Sequence, residues 1–73
     1  MSKWMQIDEE LVDISTFNNI YKVDPMPGIP YLTTYDIVFV DSYRESDHEF
    51  KMLWDTAEER DLWFNRIYKF LCD

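Results

Sequence analysis

The sequence predicts an α+β fold: a small antiparallel β-sheet of three to four strands covered on one face by a single C-terminal α-helix. Three observations carry this expectation. Apolar residues repeat with helical spacing near the C-terminus, two upstream segments alternate with the period of a strand, and every strand-like segment precedes the helix. Seventy-three residues leave room for one domain over 1–73. A chain of that size buries only about 60% of its unfolded surface. Its single cysteine permits no internal disulfide, so the thirteen aromatics (three Trp, five Tyr, five Phe) are expected to supply the stability.

Taken in order, residues 4–7 or 11–14 form a short edge segment, and residues 19–24 read as a strand. Asp24-Pro25-Met26-Pro27-Gly28-Ile29-Pro30 holds all three prolines and the only glycine. Proline donates no ladder hydrogen bond, so this stretch is an exposed loop stiffened in φ. Residues 31–41 are rich in β-branched and aromatic side chains, with Tyr35, Ile37 and Phe39 on one face and Asp36, Val38 and Val40 on the other. Residues 42–48 are polar and contain no glycine, which predicts a hairpin loop and argues against a tight two-residue turn. Phe50, Met52 and Trp54 share a face of the following strand. The helix is expected over 57–71, with Trp63, Phe64, Ile67, Phe70 and Leu71 as its apolar stripe. Thr56 with Glu59, or Asp55 with Glu58, fits a capping box, and acidic residues lead while Arg66 and Lys69 close, as the helix dipole favours.

Fifteen acidic against seven basic residues give a formal charge of −8. That balance argues against gripping nucleic-acid phosphates through a basic face, which draws on clustered Lys and Arg. No uncharged run approaches the roughly 20 residues of a membrane span, and Met1-Ser2-Lys3-Trp4 lacks the apolar stretch of a secretory signal. With a lone cysteine, the expected compartment is a reducing cytoplasm. Catalysis is not expected. His48 stands in a polar stretch between Asp47 and Glu49, and Cys72 lies beside Asp73, whose charge opposes thiolate formation. One Cys and one His cannot complete a tetrahedral zinc site. Residues 41–47 place Arg44 where a calcium loop needs oxygen ligands, and Gly28 stands alone where a phosphate loop needs several glycines. The residues therefore call for no cofactor, metal or small-molecule substrate.

What remains is the outer surface. The acidic residues gather near the N-terminus and around the hairpin, which suits either plain solubility or a face steered onto a basic partner. The candidate partner-binding set is Asp8, Glu9, Glu10, Glu45 and Asp47, with Tyr43 and Arg44 as hairpin contacts. Glu58, Glu59 and Asp61 are already explained by the helix start. The proline loop with Met26 and Tyr31 is a second surface candidate, or a simple crossover connection. Trp4 is either core or a binding anchor, and burial is the expectation in a domain short of core material.

The whole chain, from Met1-Ser2-Lys3-Trp4-Met5 to Arg66-Ile67-Tyr68-Lys69-Phe70-Leu71-Cys72-Asp73, resembles the short RNA-polymerase-binding regulators of Xanthomonas bacteriophages in length and character. The resemblance implies binding to host RNA polymerase near the RNA exit channel, displacement of the sigma factor and suppression of terminator hairpins, in the host cytoplasm. It assigns no role to any single residue. Two other readings stay open: an acidic nucleic-acid mimic that blocks another DNA-handling enzyme, and a protein-interaction module resembling a truncated pleckstrin-homology fold.

Overall fold

Two alternating segments at the centre of the chain fix the fold. In the computed structural model, which describes residues 2–43 and 46–72, strand β4 (Tyr35–Tyr43) pairs antiparallel with β5 (Ser46–Trp54), and β3 (Asn19–Val23) pairs with the other side of β4. Ile37 opposite Met52 and Phe39 opposite Phe50 set the register. A slip of either strand by one residue would turn its own two of these side chains away from the core. Upstream, β1 (Trp4–Ile7) and β2 (Glu10–Asp13) form a separate two-stranded antiparallel hairpin. Helix α1 (Ala57–Cys72) closes the order, so the architecture is α+β with two small antiparallel sheets and one C-terminal helix.

The inner face of β4 and β5 meets α1 and the β1–β2 hairpin. Ile7, Val12, Ile14, Ile37, Phe39, Met52, Trp54 and Ile67 form the buried cluster, with Phe17, Ile20, Phe50, Trp63 and Phe64 packed on it. Phe17, Phe39 and Phe50 touch one another, with ring centroids 5.2–6.5 Å apart. Aliphatic side chains therefore carry more of the fully buried centre than the aromatic content suggests. Trp4 is 55% exposed and Tyr31 81% exposed, while Tyr68, Phe70 and Leu71 also stay accessible. The expected burial of Trp4 is thus corrected. It pairs with Asp13 on the outward side of the first hairpin, whose inward side is taken by Met5, Ile7 and Val12.

Three further differences have local causes. The first two strands make their own sheet because Asp13 ends β2 and caps a 3-10 turn at Ile14–Thr16, accepting from the Ser15 amide and turning the chain before β3. Residues 42–48 are not an open loop: the ladder continues through Asp41–His48 and Ser42–Asp47 to Tyr43–Ser46. The register set by the core pairs leaves only Arg44 and Glu45 between the strands, and these two lie outside the described residues. The helical stripe ends early, with Ile67 buried and Phe70 and Leu71 exposed. Its start is as expected, with the Glu59 amide donating to Thr56 Oγ1 at 3.3 Å. Among the described residues no helix is long and apolar enough to cross a membrane.

Candidate protein-binding surface

The two edges of the β3–β4–β5 sheet are built differently. At the β3 edge, α1 delivers Arg60, which is 3% exposed. Its Nη1 donates to the Val23 carbonyl at 3.1 Å, its Nη2 to Asp24 at 2.7 Å and its Nε to Asp61 at 2.7 Å. The guanidinium also lies 5.4 Å from the Tyr35 ring centre. Burial opposes the Arg60 charge, but the hydrogen bonds and charges of Asp24 and Asp61 outweigh it and raise the guanidinium above its ordinary value. Lys22 reaches Asp61 at 3.5 Å and covers the Phe64 ring. The hydrogen bond from Arg60 holds the Asp61 carboxyl below the usual carboxylate range, against its own partial desolvation and with help from Lys22. Sequence reading passed over Arg60, because a charged residue in the first turns of a helix looks solvated.

At the β5 edge, among the described residues, nothing comparable closes the strand. The Asp8–Glu9 turn between β1 and β2 sits beside Lys51, Met52 and Leu53, and together with Glu10 these residues line a groove of about 440 Å³. Asp8 has φ +54°, a left-handed conformation that aspartate tolerates better than most residues. Its carboxylate accepts a 2.7 Å hydrogen bond from the Trp54 indole N–H. That bond fastens the turn to the inner side of β5. Glu9 and Glu10 are exposed, as are Glu49, Lys51 and Leu53.

The sequence-derived set is therefore split. Asp8, Glu9 and Glu10 come together in one turn, with Asp8 engaged by Trp54. Tyr43 and Asp47 belong to the far end of the β4–β5 hairpin. Leu53 and Asp47 are six positions apart on β5, about 20 Å along an extended strand. Arg44 and Glu45 lie outside the described residues, and nothing of the Tyr43 or Asp47 side chains is described. A single continuous acidic patch joining turn and hairpin is thus not what the backbone lays out.

Other acidic residues are also engaged internally. Asp13 accepts from the Ser15 hydroxyl at 2.7 Å and from the Lys3 amide at 3.1 Å. The Ser15 hydroxyl chiefly lowers its carboxyl, burial works against that, and the Lys3 and Ser15 amides add to it. Lys3 in turn donates through Nζ to the Phe70 and Leu71 carbonyls, so the N-terminal segment caps the end of α1. Asp36, buried on the outer face of β4, accepts from Thr34 Oγ1 at 2.6 Å. The proline loop holds itself in shape with Met26–Leu32, Ile29–Met26 and Leu32–Ile29 backbone bonds and borders an open hollow of about 730 Å³ of mixed polarity. His48 is exposed opposite Asp41, and Cys72 is exposed at the helix end. Among the described residues no three His, Cys, Asp or Glu side chains gather as metal ligands.

No protein-family model matches the chain, and no curated protein or solved structure shows significant similarity to it.

Proposed function

We propose that this chain is a small non-enzymatic regulator that binds bacterial RNA polymerase, inhibits sigma-dependent initiation and acts as an antiterminator, as its resemblance to phage regulators implies. The observation that supports a protein-binding role most directly is the open β5 edge beside the exposed carboxylates of Glu9 and Glu10. Enzymes that handle nucleic acids carry positively charged channels, and an acidic protein of formal charge −8 is steered toward them. At 9.0 kDa it offers a standard interface of about 800 Å² per partner. Inhibition with so little area works by shifting the polymerase toward a state that disfavours sigma contacts. A nucleic-acid mimic needs an uninterrupted row of free carboxylates, and Asp8, Asp13, Asp24 and Asp61 are turned to internal donors instead.

Mixing the purified chain with bacterial RNA polymerase and sigma on a promoter template tests this reading. A co-eluting complex, loss of promoter-dependent transcripts and read-through at a terminator are expected. Transcription unchanged at saturating protein, with no complex on gel filtration, would refute it.

A further inference from the structure

In an antiparallel ladder, alternate residues of a strand aim their N–H and C=O groups away from the neighbour. For an edge strand those groups are a template for another chain. The three-stranded sheet leaves two such edges, β3 and β5, and they are not equivalent. At the end of β3, five residues long, Arg60 Nη1 takes the Val23 carbonyl and reaches the carbonyl of its β4 partner Asp36 at 3.5 Å, and Lys22 is drawn to Asp61. Neither strand has a backbone partner outside its ladder with β4 among the described residues, but on β5, nine residues long, no described side chain bonds the strand's backbone either. The groove of about 440 Å³ runs along this second edge at Lys51–Leu53, and the Asp8–Glu9 turn forms its far wall. That wall is held in place by the Trp54–Asp8 hydrogen bond, so it is set before any ligand arrives.

We propose that the β5 edge accepts an extended, basic segment of a partner protein as an added antiparallel or parallel strand. This deepens the proposed function, and rests on its reading of the chain as a protein-binding regulator, by naming the kind of segment bound. Backbone pairing along Glu49–Leu53 supplies the register. Alternate basic side chains of the incoming strand reach Glu9 and Glu10, and the intervening apolar ones lie beside Leu53 on the outer face. Charge decides the occupant. A second copy of this chain would bring its own excess of acidic residues to the same groove, which disfavours self-pairing, whereas a Lys- or Arg-rich strand meets opposite charge.

The probe is an acetylated, amidated peptide of four Lys-Val repeats, titrated into the full-length isotopically labelled chain. Shifts confined to β5 and residues 8–10, with slowed amide exchange at alternate β5 positions, are expected. Glu9→Gln and Glu10→Gln should each weaken binding by about threefold, as for exposed ion pairs. The same peptide methylated at alternate backbone nitrogens keeps its charge but cannot pair, and its binding should be lost. Equal binding of the methylated peptide would mean charge attraction alone and overturn strand addition. Shifts on β3 or on the proline loop, or none at all, would overturn it too. The probe contains no polymerase, so failure here is separable from failure of the transcription assay.

Discussion

The β3 and β5 edges flank the same central strand, yet one spends its charges on the fold and the other leaves them outward. Arg60 gathers Asp24, Asp61 and the Val23 carbonyl, so carboxylates near β3 are tied to holding α1 against the sheet. Beside β5, among the described residues, Asp8 is tied through Trp54, while Glu9 and Glu10 are exposed. Net charge alone therefore does not locate a binding surface. Residues of one type divide by whether a donor reaches them inside the molecule.

The largest effect should come from breaking the closed edge. Arg60→Ala leaves the Val23 carbonyl without its side-chain donor, frees Asp24 and leaves Asp61, among the described residues, with Lys22 alone. The cost is expected at about 3 kcal/mol, the low end for a buried ion pair because Asp24 and Asp61 are themselves well exposed. Urea unfolding measures it, and Arg60→Met should recover part of the loss by keeping the packing. Next is the fastening of the open edge. Trp54→Phe removes the indole donor from Asp8 and some core volume, and should cost about 2 kcal/mol in the same experiment. Asp8→Asn keeps both an acceptor and a residue tolerant of φ +54°, and should cost clearly less.

A smaller effect separates the edges by pH. The Asp61 carboxyl is held below its ordinary 3.8 in the folded protein, so its contribution is fully present above that value. It is lost as pH falls through the lower folded value. Acid titration of stability should show this loss in the wild type and a shallower one in Asp61→Asn. Smallest of all, Glu9→Gln and Glu10→Gln should leave stability within about 0.5 kcal/mol of wild type, since no internal donor among the described residues holds them. A larger drop in their urea midpoint would mean the open edge is structural after all.

Much of this contrast was hidden from sequence for physical reasons. Strong periodicity exposed the helix, its Thr56 cap, and the shared face of Phe50, Met52 and Trp54, because each reflects a local repeat. Register is a long-range property. Polar residues 42–48 looked like a loop, yet the core pairs carry the ladder on to Tyr43–Ser46. Arg60 was missed because its partners are distant in sequence, at Val23, Asp24 and Tyr35. The Asp8-Glu9-Glu10 cluster was visible as charge. That Asp8 alone among them is turned inward depends on Trp54, far along the chain. Trp4 was misplaced because the hairpin's inward positions are taken by Met5, Ile7 and Val12.

Hydrogen exchange of the full-length chain, alone and with bacterial RNA polymerase, tests the contrast between the edges most directly. New protection should appear at Glu49–Leu53 and in the Asp8–Glu10 turn, with Asn19–Val23 unchanged. Protection that appears on Asn19–Val23 or in the proline loop while β5 exchanges as before would contradict it.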